Sequence, residues 1–312
     1  MFGSAARARL SKALFGAAPQ LVAGGLVMSS MNHNLTHADA RFHQDYDLNR
    51  LVGHGTFGLV QRCMSRSDGS TAAVKVLTKD ATSPIDTLQE VGILRTIETQ
   101  GGHPNIVSYR AHYNEEDFVY IVTEYLRGST LYNHMIQHRR LEEAKALELL
   151  KQLGNAVDFL HHQQIVHGDI KPDNIMIDGD HLKLLDFGSA QYLHHQNENL
   201  DSVSGTQAYW PPEMLTSLQS SKGVDVWAMG CILYIMISGQ HPFDPTGRSS
   251  IEGILDRVRT QSVTFEAPTW QTVSIRTKKL IASMLTKDHS QRASIEHIKH
   301  QISYIDTEGR TP

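Results

Sequence analysis

The chain has 312 residues, 40% of them hydrophobic, enough to bury a sizeable core in one large or two modest domains. With 29 Lys and Arg against 33 Asp and Glu, a formal charge of -4 and no long basic block, the composition argues against nucleic acid as a main partner. Cys63 and Cys231 stand far apart and in no metal-ligand spacing, which argues against a disulfide framework or a zinc site and for a reducing, cytoplasmic compartment.

The first acidic residue is Asp39, while Arg7, Arg9 and Lys12 lie upstream among Ala, Gly and Ser. Residues 1–40 therefore form a leader extraneous to the fold, expected to be a disordered extension. The alternatives are an organelle transit peptide or a weak signal peptide with Leu21 to Met28 as its apolar run, and Met31 offers another start. No segment reaches the roughly 20 unbroken apolar residues of a transmembrane helix.

From Tyr46 a strand-like alternation runs through Leu48, passes a glycine-rich loop, and resumes through Leu59, Val60 and Cys63. Asp68-Gly69 is a turn dipeptide and Thr71 to Leu77 a second β-rich run, so the pattern predicts a hairpin. Ser83-Pro84 opens a predicted helix with Leu88, Val91 and Leu94 at three-residue steps. Ile106 to Tyr109 and Phe118 to Glu124, flanking a polar turn at Asn114 to Asp117, are predicted to complete a small sheet. Beyond Gly128 the periodicity turns helical, with Leu147, Leu150, Leu153, Val157 and Leu160 on one stripe. Val224 to Ile237 is apolar nearly all round and ends at Gly239, which predicts a buried central helix. The hydrophilic stretch His194 to Ser204 is expected to be a mobile loop.

Gly53, Gly55 and Gly58 fit two phosphate-binding loops, a dinucleotide fingerprint and a phosphate-covering hairpin, because both need close backbone approach. A dinucleotide fold puts a helix after the third glycine, whereas Val60 continues here as a strand, so the hairpin is favoured. Lys75 on the next strand can reach phosphate oxygens and Glu90 on the following helix can hold its ammonium. His167-Gly168-Asp169-Ile170-Lys171-Pro172-Asp173-Asn174 and then Asp186-Phe187-Gly188 carry the strongest signal. Phosphoryl transfer needs an oriented hydroxyl and neutralised phosphate charge. Asp169 can accept the hydroxyl proton, Lys171 can steady the moving phosphate, and Asn174 and Asp186 offer hard oxygens suited to Mg2+.

Over roughly Tyr46 to Ser303 these motifs resemble the eukaryotic protein kinase family, and the roles given to Lys75, Glu90, Asp169, Lys171, Asn174 and Asp186 are those the resemblance implies. The resemblance implies an α+β, two-lobed fold: a small β-rich N-lobe over about 46–123, a hinge at 124–128 and a large mainly helical C-lobe over about 129–303, with 304–312 as a short tail. It implies ATP and Mg2+ as cofactors and protein substrates as partners. Glu124 and Leu126 would present hinge backbone to adenine behind the small gatekeeper Thr123, with Val60 and Ala73 above the ring and Met176 below. Gly205 to Glu213 resembles the end of an activation segment, in which Ser202, Ser204 and Thr206 are candidate phosphosites. Glu213 would pair with Arg292, and Asp225 would anchor the catalytic loop from below. Lys171 together with Thr206 resembles the Ser/Thr branch, and the later helices weakly resemble calcium/calmodulin-dependent relatives. Thr130, where many basophilic relatives hold an acidic residue, weakens the case for an Arg-directed substrate.

Gly168 departs from the family, whose commonest loop has an arginine there that binds an activation-loop phosphate. Glycine cannot do so, and activity independent of that switch is the expectation. Two competing readings are an inactive kinase-fold scaffold and a kinase of small-molecule hydroxyls. The first is disfavoured by the complete set Lys75, Glu90, Asp169, Asn174 and Asp186, the second by the segment Gly205 to Glu213. The eighteen histidines include adjacent pairs such as His161-His162, a spacing unsuited to a metal site.

Overall fold

The computed structural model describes residues 41–55, 58–80, 83–193, 205–216 and 221–308. The leader, and with it Arg7 to Met31, lies outside them, as do Ser202 and Ser204.

The N-lobe opens with a short helix α1 (Arg41–Asp45), followed by β1 (Tyr46–Gly55), β2 (Gly58–Ser65) and β3 (Thr71–Thr78). The Asp68 carboxylate accepts the Ser70 N–H at 2.9 Å, and Gly69 takes φ 70°, the left-handed turn position that glycine enters without penalty. Strands β4 (Tyr109–Asn114) and β5 (Phe118–Glu124) complete a five-stranded antiparallel sheet in the order β1-β2-β3-β5-β4. The predicted strand at Ile106 to Tyr109 is thus displaced toward the more polar run that follows. Ile106 is buried and bridges Leu184, while the Val107 N–H donates to the Leu184 carbonyl at 3.0 Å. Their backbone is already paired to the other lobe, and the half-polar sequence after them makes the edge strand, where water satisfies its free side.

The side-chain period of two divides β3 between two environments. Ala72, Val74 and Val76 join Cys63, Tyr120 and Val122 in an outer core, separate from the main one. Phe42 of α1 closes that core, fully buried and stacked on Tyr120 with ring centroids 4.3 Å apart. Its N–H donates to Glu115 Oε1 at 3.0 Å, and the Asp45 carboxylate accepts the Tyr113 hydroxyl at 2.8 Å. On the opposite face lie Ala73 and Lys75, with Thr123 paired to Ala73 and Val60 paired to Lys75.

Helix α2 (Pro84–Thr99) begins where Ser83-Pro84 places it. Its buried stripe runs through Glu90, Val91, Ile93, Leu94 and Ile97, whereas Leu88 is 63% exposed. The three-residue step from Leu88 continues around the cylinder, away from the lobe.

The C-lobe begins with β6 (Ser129–Thr130) and α3 (Leu131–His138), whose first turn is capped by Thr130 Oγ1 accepting the Asn133 N–H. Helix α4 (Glu143–His162) buries the predicted leucine stripe. The short strands β7 (Ile165–Val166), β8 (Ile175–Asp178), β9 (His181–Leu184) and β10 (Gln191–Tyr192) form two small sheets, β6-β8-β9 and β10-β7. Then follow α5 (Pro212–Thr216), α6 (Gly223–Ser238), α7 (Ile251–Thr260), α8 (Ile275–Met284) and α9 (Ile295–Glu308). Residues Val224 to Ile237 of α6 are all buried, Cys231 among them. Gly239 ends α6 at φ 72°, and a Cβ there would meet the Arg139 carbonyl at 2.5 Å. No helix of the described residues is long and apolar enough to cross a membrane.

Candidate active site

The inner sheet face meets the C-lobe at Lys75. Its Nζ donates to Glu90 Oε1 and Oε2 at 2.8 and 2.9 Å and to Asp186 Oδ1 at 2.7 Å. Burial works to discharge the ammonium, but Glu90 and Asp186 outweigh it and push Lys75 up to about 12. For Asp186 burial is likewise overcome, by Lys75, and its carboxyl is held below the usual range. Glu90 is raised, by burial and by the charge of Asp186, against the pull of Lys75. The strand, the helix and the C-lobe loop are thereby tied together at one buried cation.

Asp186 itself has φ 55°, a left-handed conformation in which a short acidic side chain is tolerated. The turn sends Phe187 inward, where it is 1% exposed and edge-on to His167 with centroids 5.1 Å apart. His167 Nε2 in turn bonds the Leu185 carbonyl at 2.9 Å. His167 thus packs and bonds beneath the loop.

Asp169 is surrounded by donors. Its Oδ2 pairs with Lys171 Nζ at 2.7 Å and accepts Asn174 Nδ2 at 3.0 Å, while Oδ1 accepts the Thr206 N–H at 2.8 Å. Lys171 Nζ also donates to Thr206 Oγ1 at 2.8 Å. Beneath, the Asp225 carboxylate of α6 accepts the N–H groups of His167 and Gly168 at 3.0 and 2.9 Å and bonds His161 Nε2 at 2.9 Å. Burial opposes its charge, yet these bonds hold the Asp225 carboxyl below its ordinary value. Three donors on one buried anion fix the loop at its base.

Gly168 has φ 75° and Gly205 φ 102°. A Cβ at Gly168 would lie 3.0 Å from the Ser189 carbonyl, and one at Gly205 2.4 Å from the Gly168 carbonyl. Glycine enters both left-handed conformations without penalty, and at Gly205 the close approach of the Gly168 carbonyl excludes any side chain as well. The lack of an arginine at 168 goes with a direct backbone seat for the activation segment.

Of the expected ATP residues, Gly53 pairs with Val60 and Gly55 with Gly58 across the hairpin. Gly58 has a second reason to be glycine, since a Cβ there would meet the Val76 carbonyl at 2.3 Å. Met176 lies on β8 opposite Lys183. Glu124 ends β5 and Leu126 follows it in the connection to the C-lobe. Glu213 is brought elsewhere: it makes a bidentate pair with Arg292 at 2.5 and 2.8 Å, with the guanidinium 5.1 Å from the centroid of the Trp227 ring, and serves the architecture below α5.

A divalent cation fits the donor set. Asn174 donates Nδ2 to both the Asp169 carbonyl and Oδ2, which leaves its amide oxygen for a cation, and its backbone carbonyl accepts the Leu185 N–H at 2.8 Å, beside Asp186. An amide and a carboxylate oxygen suit Mg2+, which takes one or two protein ligands and completes its shell with phosphate and water.

Two contacts near the site were not legible in the sequence. Gln89 Nε2 donates to the Ala190 carbonyl at 2.8 Å, and Lys183 pairs with Glu124 at 2.6 Å. Neither residue belongs to a motif, and strand lysines and helix glutamines are ordinarily solvated.

A family model described as "Protein kinase domain" matches residues 46–304. "Serine/threonine-protein kinase PKZ1" of Phytophthora infestans is 35% identical over 270 residues, covering 79% of this chain and 67% of that protein. "Serine/threonine-protein kinase PEPKR2" of Arabidopsis thaliana is 33% identical over 255 residues, 81% of this chain and 52% of that protein. "Ribosomal protein S6 kinase alpha-4" of Homo sapiens is 32% identical over 275 residues, 84% of this chain but 35% of that protein. The chain belongs to the eukaryotic protein kinase family, in its serine/threonine branch.

Proposed function

We propose that the protein transfers the γ-phosphate of ATP to Ser and Thr hydroxyls of other proteins, with Mg2+. The observation that carries this reading is the donor-ringed Asp169, seated on Asp225 and facing the same junction as the Lys75, Glu90 and Asp186 cluster. MgATP, when bound, supplies the activated phosphoryl group and the charge-neutralising cation.

Asp169 accepts the proton of the incoming hydroxyl through its carboxylate and aims the oxygen. Lys171, held between Asp169 and Thr206, supplies positive charge where the phosphoryl group moves. Lys75 stays protonated and is positioned by Glu90 to meet phosphate oxygens. Asn174 and Asp186 would hold the cation. Val60, Ala73 and Met176 enclose an adenine between the lobes, with the backbone near Glu124 and Leu126 as its hydrogen-bonding edge. A cytoplasmic location is part of the proposal, supported by the two free, buried thiols.

Radiolabelled ATP with casein as a generic acceptor tests it. Labelling lost in Asp169→Asn with Mg·ADP binding retained is the expected result. Equal, negligible labelling by both proteins would instead assign the chain to nucleotide-binding scaffolds.

A further inference from the structure

The connection between the lobes is held from behind by a charged contact that the transfer chemistry leaves unused. Glu124 Oε1 accepts from Lys183 Nζ at 2.6 Å and from the Ser108 N–H at 2.9 Å, and the Glu124 N–H returns a bond to the Ser108 carbonyl at 2.9 Å. Lys183 Nζ also donates to the Ile106 carbonyl at 3.2 Å. The two side chains are only 18% and 24% exposed, so solvent screens them less than an ordinary surface pair.

Lys183 stands on β9 opposite Met176 and three residues before Asp186. The loop between α2 and β4 is fastened to the same strand through its backbone. Leu184 N–H donates to the Asn105 carbonyl at 2.8 Å, and Asn105 Nδ2 donates to the Leu182 carbonyl at 2.9 Å. That loop and β9 therefore act as one unit, to which the Lys183 pair fixes the end of β5.

We propose that Lys183 is a positioning residue for the nucleotide. Its pair with Glu124 sets the height of the backbone at Glu124 to Leu126 above Met176, and with it the span from the adenine edge to Asp186. The inference rests on the reading of this cleft as an ATP site. The closed pair stands together with the assembled Lys75, Glu90 and Asp186 contacts. Lys183→Met keeps the aliphatic stem and removes the charge, leaving the Glu124 carboxylate with its backbone donor alone.

The test compares the whole protein with Lys183→Met, Lys183→Arg, Glu124→Gln and the Lys183→Met/Glu124→Gln double variant. It measures the Mg·ADP Kd by calorimetry, KM for ATP and kcat with casein, and melting without nucleotide. Lys183→Met is expected to raise Kd and KM about three- to tenfold with kcat within about twofold. Lys183→Arg should retain most of the affinity, and Glu124→Gln should add little to Lys183→Met. Should Lys183→Met not fold, the isosteric Glu124→Gln carries the same expectation. Unchanged Kd and KM with only a lower melting temperature would overturn the inference, as would a raised kcat at unchanged KM. A wild type that binds no Mg·ADP would overturn the ATP reading and this inference with it; wild-type binding matched by every variant would overturn the inference alone.

Discussion

Gly205 approaches Gly168 so closely that a Cβ on the first would lie 2.4 Å from the carbonyl oxygen of the second. The activation segment thus rests on the catalytic loop through backbone, and the Thr206 N–H reaches Asp169 at 2.8 Å from that seat. Gly205→Ala would both clash and force a side chain into a left-handed backbone. Its kcat should fall at least about tenfold while ADP affinity is kept, since the loss of alignment acts on transfer. Ser202→Ala/Ser204→Ala, by contrast, should keep activity within about twofold. Steady-state labelling together with mass measurement of bound phosphate checks both, and loss of activity in the double Ala variant would sink phosphate-independent seating.

Lys75 neutralises the buried Glu90 and the partly buried Asp186, and removing it takes away the cation that the two carboxylates share. Lys75→Met should abolish labelling and destabilise the fold by about 3–5 kcal/mol. Adding Glu90→Gln should recover part of that stability, about 1–2 kcal/mol, with no recovery of transfer. Chemical denaturation alongside labelling separates the two effects.

His241 is 2% exposed, edge-on to Tyr209 with centroids 5.6 Å apart, and its Nδ1 accepts the Phe243 N–H. Burial pushes the imidazole down to about 4, more than Asp244 lifts it. Because the folded value lies below the unfolded one, near 6.5, neutral His241 contributes stability that is complete above that pH. It is lost progressively as pH falls from there to about 4. Urea midpoints should decline over this window in the wild type and decline less in His241→Asn, whose side-chain oxygen can accept the Phe243 N–H. Parallel declines would rule out His241 as the titrating group.

Phe42 lies upstream of the family match, which starts at residue 46, yet it is fully buried on Tyr120. Removing residues 1–40 should leave thermal stability unchanged, whereas removing 1–45 should cost about 3–5 kcal/mol, the range for deleting a buried phenylalanine. Phe42→Ala in the full chain should reproduce most of that loss in a denaturation titration.

What the sequence made legible follows from how locally each feature is specified. The Asp68-Gly69 turn, the Ser83-Pro84 helix start and the Gly239 stop depend on a few adjacent residues, and each stands where its pattern placed it. Asp169, Lys171 and Asn174 lie within six residues of one another, so their convergence on one carboxylate needed little of the fold. The edge strand lies beyond the apolar run that predicts it because Ile106 and Val107 answer to Leu184, far along the chain, and not to their own neighbours. Leu88 shares the three-residue step of Val91 and Leu94, yet tertiary packing buries those two and leaves Leu88 in solvent. Phe42 and Lys183 carry no local signature at all, since their importance is created by Tyr120 and Glu124.

Both cysteines ended inside hydrophobic cores, Cys63 in the outer sheet layer and Cys231 in the middle of α6. Burial lifts the Cys63 thiol to about 11 and Cys231 higher still, so neither offers the thiolate that alkylating agents and peroxide attack. With no other cysteine in the sequence, oxidants have no sulfhydryl handle on this kinase while it stays folded, and covalent inhibitors aimed at a cleft thiol would find nothing there to capture.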